Sequence, residues 1–201
     1  MNLLNRIDYL SYFCDIIILG EYMSDFEQLK TILLSKNVAR ELHLKEKVIF
    51  RIIPELISEK GFEQRNEWHC YDVWNHTIQT IASCDSDFVS RLTLLLHDIG
   101  KPFCFQDHGK VRHFKGHDRK SAEIAKPILN RLGIDPQTAN KILFLIRNHS
   151  RNIDDIDFEN DELLYSELWK IQMCDASGYE PGHARIAHVR LREKKNFSII
   201  V

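Results

Sequence analysis

The sequence predicts an all-α fold. Long segments carry apolar residues at three- and four-residue spacing, and Gly and Pro are scarce, at 8 and 5 of 201 residues. The hydrophobic fraction of 44% and charged fraction of 28% are those of a soluble globular protein. A chain of this length has room for one sizeable core and at most a small appendage.

Residues 1–20 are apolar-rich, with Leu3, Leu4, Ile7, Leu10 and Phe13 spaced as helical turns packed on something. Phe26, Leu29, Ile32 and Leu33 predict a second helix, and Val48 to Ile57 another stripe, with Pro54 at a kink or first turn. Residues 61–68 read as a polar connection. The next helix carries residues 69–80, placing His76 with Val73 and Thr80 on one face, and His69 as well if the helix starts early enough.

Asp85-Ser86-Asp87 reads as a turn with an N-cap for the leucine helix at 92–96. Leucines cover nearly every face of that helix, so it is expected to be central and buried, ending in His97-Asp98. Gly100, in the left-handed conformation, and Pro102 are expected to stop it. Residues 103–116 read as irregular, with Asp107, His108 and Gly109 as turn signals.

A helix follows His117 and closes at Gly133. Another starts near Pro136 with Asp135 as cap, and its stripe Ile142, Leu145, Ile146 ends in His149. Residues 152–162 are acidic and read as an exposed loop. The last strong stripe is Leu164, Leu168, Ile171 and then Asp175, the least expected residue there. The tail holds Arg185, Arg190, Arg192, Lys194 and Lys195 and ends apolar, which suits a helix packing on the core or an oligomer contact. Monomer and homodimer both stay open.

The net charge of −2 gives no general attraction to nucleic acid or anionic membrane, although a local basic pocket is compatible with it. Cys14, Cys70, Cys84, Cys104 and Cys174 lack paired spacing. No basic region leads into an apolar core at the N-terminus, and Ile16 to Leu19 is too short to span a bilayer. These features lead to an expectation of free thiols, no membrane and a cytoplasmic location.

One buried His is ordinarily just hydrogen-bonded. His76, His97, Asp98, His117, His149 and Asp175 are harder to explain that way, because all lie on helices or at helix ends and three of them continue apolar faces. Imidazole and carboxylate are ligands for Mn, Fe, Co, Ni or Zn, with Mg less suited. Two His and two Asp fill one site, and two more His sharing Asp98 would hold a second ion.

The order His76, then His97-Asp98, then Asp175 resembles the HD superfamily of metal-dependent phosphohydrolases. The densest likeness is to the HD domain of bacterial CCA-adding tRNA nucleotidyltransferases. It rests on Ile53-Pro54-Glu55-Leu56, residues 71–77, residues 96–102 and His113-Phe114-Lys115-Gly116-His117 with Ser121-Ala122, and covers roughly residues 48–176. No Gly-Ser followed by a nearby Asp-x-Asp on a strand marks a nucleotidyltransferase half, so a stand-alone HD domain is expected: 1–47 a helical extension, 48–180 the HD helical bundle with a metal site in its core, 181–201 a tail on the same domain.

The resemblance implies hydrolysis of a small phosphoester, with a nucleotide the expected substrate, through metal-activated water. Asp98 and Lys101 are the candidate catalytic residues, and Lys101, His113 and Lys115 the candidate substrate contacts. A solvated Lys at a helix end explains Lys101 equally well, and a surface loop explains the other two. His69 is a weaker candidate for substrate contact. His43, His108, His183 and His188 show no ligand-like register. Two rival readings are an HD-type di-iron oxygenase and a non-catalytic module that senses nucleotides or associates with RNA.

Overall fold

The computed structural model describes residues 23–85 and 87–198, with side chains to residue 194. The apolar segment expected over residues 1–20 lies outside them. Helix α1 (Asp25–Leu33) is capped by Ser24 and buries Leu29, Ile32 and Leu33. Helices α2 (Val38–Leu44) and α3 (Glu46–Ile52) follow, and Pro54 opens a 3-10 turn, Pro54–Glu59.

Helix α4 (Val73–Ser83) starts later than its pattern suggested. Asp72 is the reason: one carboxylate oxygen accepts the Asn75 N–H at 2.7 Å and the other the Gly61 N–H at 2.8 Å. The cap fixes the first turn at Val73 and leaves His69 ahead of the helix, where its Nδ1 meets Asn66 Oδ1 at 2.8 Å.

Helix α5 (Phe88–Leu96) is capped by Asp87, which accepts from the N–H groups of Val89 and Ser90, and every residue from Ser90 to Leu96 is buried. The buried Arg91 donates to the carbonyls of Leu33, Ser35 and Cys84, which ties the end of α1 to α5.

The expected stop after α5 takes another form. Gly100 has φ −82°, not a left-handed value, and the chain turns directly into α6 (Lys101–Cys104) with Pro102 in its first turn. A Cβ on Gly100 would lie 2.6 Å from both the His117 carbonyl oxygen and the Ser121 nitrogen. The glycine is there because backbone meets backbone. Its N–H donates to Ser121 Oγ at 2.9 Å.

The segment expected to be irregular contains an antiparallel hairpin, β1 (Gln106–His108) and β2 (Val111–His113), turning at Gly109 with φ +74°. Helix α7 (His117–Arg131) closes at Gly133 with φ +71°, as its pattern predicted. Helix α8 (Pro136–Asn148) is capped by Asp135, whose side chain accepts the Thr138 N–H. The acidic loop that follows is anchored by a 3-10 turn, Ile153–Asp155, with Ile153 buried. Helix α9 (Glu162–Ala176) runs back through the core, and α10 (Pro181–Ser198) lies against it, with Trp169 Nε1–H donating to the Leu191 carbonyl at 2.8 Å.

The fold is all-α apart from the hairpin. Helix α5 sits at its centre, packed against α1, α4, α7, α8 and α9. Residues of α1 and α2 join the same apolar core as α4, α5 and α8, so the first described helices are continuous with the bundle. At 25 cal/mol per Å2, each fully buried Leu or Ile in that core contributes about 1.5–3 kcal/mol.

Candidate metal centre

Four histidines meet where α4, α5, α7, α8 and α9 converge. Each commits Nδ1–H to a backbone carbonyl: His76 to Gly178 at 3.0 Å, His97 to Leu94 at 2.7 Å, His117 to Phe114 at 2.8 Å and His149 to Ile146 at 2.6 Å. For three of them the acceptor is the carbonyl three residues back, freed by the end of a helix or the turn before one. A backbone bond at Nδ1 sets the tautomer and leaves Nε2 as the ligand atom. All four Nε2 atoms face the carboxylates of Asp98 and Asp175.

The donors fall into two adjoining groups. His76 Nε2 lies 2.9 Å from Asp175 Oδ1 and 3.5 Å from Asp98 Oδ2, and His97 Nε2 lies 3.3 Å from each of those oxygens. On the other side, Asp98 Oδ1 is 3.3 Å from His117 Nε2 and 3.6 Å from His149 Nε2. Asp98 thus faces both groups, one oxygen to each. Ligand atoms of His76, His97 and Asp175 lie within 4.8 Å of one another, as do those of His97, Asp98 and His149.

Atoms left without hydrogen bonds are the observation against which a divalent ion can be fitted here. His97 Nε2 and both oxygens of Asp98 are buried with no aligned hydrogen bond, despite the close contacts around them. Buried polar atoms are ordinarily paired, and orphans clustered at one point call for an ion or a water. Imidazole nitrogens with carboxylate oxygens suit a borderline divalent metal.

The electrostatics agree. Burial alone would lower His97, but the Asp98 and Asp175 carboxylates outweigh it and hold the ring at about 10. Burial would raise Asp98, yet the charges of His97 and Lys101 take it well below the usual carboxylate range. Asp175 is lowered likewise, against its burial, by His76 and His97. Burial lowers His149, which favours its neutral form.

Lys101 is buried, not solvated. Its Nζ lies 2.6 Å from Asp98 Oδ2, donates to Gln64 Oε1 at 2.7 Å and sits 5.5 Å from the Phe114 ring centre. His113 and Lys115 are exposed on the hairpin side. Together with Lys101 they line a cleft of about 790 Å3 whose floor includes Asp98, Asp175, His117 and His149. His69 lines it too, its pKa lowered to about 2, chiefly by burial. His43, His108, His183 and His188 stay outside both ligand groups. Cys70, Cys84, Cys104 and Cys174 are free thiols, and among the described residues no helix is long and apolar enough to cross a membrane.

Sequence reasoning missed several supporting groups. The Tyr179 hydroxyl donates to Asp175 Oδ2 at 3.0 Å. Gln64 holds Lys101, and the Gly178 carbonyl holds His76. Glu59, fully buried below Thr77, is pushed well above the usual carboxylate range by burial. Each is set by its spatial neighbours, and none stands in a local pattern.

Comparison with known proteins agrees with this geometry. Over 133 residues, 61% of the chain, it is 32% identical to the A-adding tRNA nucleotidyltransferase of Deinococcus radiodurans, covering 30% of that protein. Over 132 residues it is 30% identical to the CC-adding tRNA nucleotidyltransferase of Thermus thermophilus, again 61% of the chain and 30% of the relative. A multifunctional CCA protein of Paraburkholderia phymatum is 28% identical over 103 residues, 49% of the chain and 24% of the relative. The chain therefore spans under a third of the length of these curated relatives. The family described as HD domain matches residues 69–177, more than half of the chain and the stretch that contains all six His and Asp donors. On that match and that geometry, this chain is a member of the HD domain family.

Proposed function

We propose that the chain is a metal-dependent phosphohydrolase acting on a nucleotide or a related small phosphoester. The observation that carries this reading is the convergence of four Nε2 atoms on two ionised carboxylates, with Asp98, His117, His149 and Asp175 at the floor of an open cleft with a cationic rim and His76 and His97 buried behind them. His76, His97, Asp98 and Asp175 would hold one ion, and His117 and His149, with Asp98 between, a second. Mn, Fe, Co, Ni or Zn fits this donor set better than Mg. When bound, such an ion lowers the pKa of water and neutralises charge on a phosphoryl oxygen.

The chain's own residues supply the rest. Asp98 is ionised and has no aligned hydrogen bond at either oxygen, so it is the group to face an ion and orient a water beside it. Lys101 keeps Asp98 charged and presents an ammonium to the cleft, where charge grows on the departing oxygen. His113 and Lys115 stand on the rim where a substrate phosphate would enter. The volume of about 790 Å3 admits a nucleotide-sized molecule. The relatives' names, each tied to adding nucleotides to tRNA, make nucleotides the first substrates to try.

The test is element analysis of the purified chain, then a phosphomonoester and phosphodiester panel after loading with Mn, Co, Ni, Zn or Mg. Turnover that requires a transition metal is the expected result. Absence of turnover with every metal across the panel would end this reading, and oxygen consumption by the iron-loaded protein with a candidate substrate would replace it.

A further inference from the structure

Helix α10 lays a second groove beside the metal cleft, and none of the chemistry above uses it. The groove holds about 440 Å3 and is lined by Tyr71 and Tyr179 and by Arg185, His188 and Arg192 of α10. Tyr179 also lines the metal cleft, so the groove begins where the cleft ends. Round the helix, Arg190 lines a pocket of about 190 Å3 that includes His149 and Asp175 themselves.

The charge here is local. Residues 181–198 hold five Lys or Arg against one Glu, in a chain of net charge −2. Lys194 is tied to Asp154, whereas Arg185, Arg190 and Arg192 form no ion pair among the described residues. Solvated arginines are common on helices, but these are arranged. Arg185 and Arg192 are seven residues apart, two turns on one face, roughly 10 Å along the axis. Tyr71, 40% exposed, lines the same groove.

We propose that this groove seats a single-stranded oligonucleotide whose end enters the metal cleft. A cationic channel that tracks the backbone, with aromatic faces for the bases, is how sequence-tolerant single-strand sites are built. Arginine presents a planar fork that matches phosphate oxygens. At ~3.4 Å per stacked nucleotide, the span from Arg185 to Arg192 covers about three. The placing of the strand's end rests on the hydrolase reading; the binding itself does not.

The test is fluorescence anisotropy of the whole metal-loaded chain with an internally labelled eight-nucleotide single-stranded RNA, the matching DNA, and poly-glutamate of equal charge, each over a KCl series. The R185Q/R192Q double variant is expected to weaken RNA binding at least tenfold and to reduce the slope of log K against log salt by about 1.4, at ~0.7 per phosphate contact. Its hydrolysis of bis(p-nitrophenyl) phosphate is expected to be unchanged. Y71A is expected to weaken nucleic acid binding while leaving poly-glutamate unaffected. Equal binding by the double variant, or poly-glutamate bound as tightly as RNA, overturns the groove. Hydrolysis without RNA binding removes this inference alone; RNA binding without hydrolysis by any metal form removes the hydrolase reading and leaves the groove.

Discussion

His117 Nε2 and His149 Nε2 face each other at 3.1 Å, while both rings spend Nδ1–H on a backbone carbonyl. As neutral rings, they point two lone pairs at one another. Either an extra proton charges one ring, or a cation lies against both. With Asp98 Oδ1 beside them, His149→Ala is expected to lower bound metal from two ions per chain towards one, read by element analysis of purified protein. Unchanged stoichiometry would make His149 a purely structural residue.

His97 and Asp98 belong to the buried heart of the site. His97→Ala and Asp98→Ala are each expected to reduce hydrolysis to the level of metal-stripped protein while the helical circular dichroism persists. Full activity in either variant after metal loading would remove the proposed centre.

Gly178 is tested by adding one methyl group. A Cβ there would lie 2.6 Å from His76 Nδ1 and 2.8 Å from its Cε1, so the ring must tilt. Gly178→Ala is expected to weaken metal affinity by roughly 10–100-fold, the usual effect of disturbing a group behind a ligand. Competition against a chromophoric chelator measures it; wild-type affinity would show that His76 does not ligate.

The pH dependence follows from His97. Held at about 10, it carries a proton at pH 7 that a metal must displace. Apparent affinity is therefore expected to rise by about tenfold per pH unit above neutrality and to level off near pH 10. Asp98 and Asp175, held well below the usual range, add no slope there. Calorimetry in buffers of different ionisation enthalpy counts the proton released, and a count of zero contradicts the argument.

Asp87 tests the fold independently of the site. Its carboxylate accepts the N–H groups of Val89 and Ser90, both at 3.1 Å. Asp87→Ala is expected to lower stability by about 1 kcal/mol in urea unfolding with metal content unchanged.

What the sequence made legible was local. The cap at Asp87, the buried leucine run and the apolar stripes ending in His149 and Asp175 follow from rules that act within a few residues. Gly100 was read correctly as a special position but for the wrong reason, because its constraint comes from residues 117–121 pressing on it. The hairpin escaped notice because its strands are three residues long and mostly exposed, with no alternation to detect. Gly178 and Tyr179 act on residues brought together by the fold; Gly178 meets His76 across 102 positions of chain. The arginine stripe of α10 was visible as composition, whereas the groove it faces exists only once α10 lies against α9.

The six donors all stand on helices or the turns bounding them, whereas His113 and the approach to Lys115 belong to the β1–β2 hairpin. On the proposed reading the ion would be held by the helices, and the hairpin adds a second piece of chain to the rim that Lys101 shares. The hairpin is itself tied to the segment ahead of α4, with the Arg112 N–H donating to the Arg65 carbonyl at 3.0 Å and its Nη1 to the Glu63 carbonyl at 2.7 Å, so a change at this rim is felt at Gln64 and, through it, at Lys101.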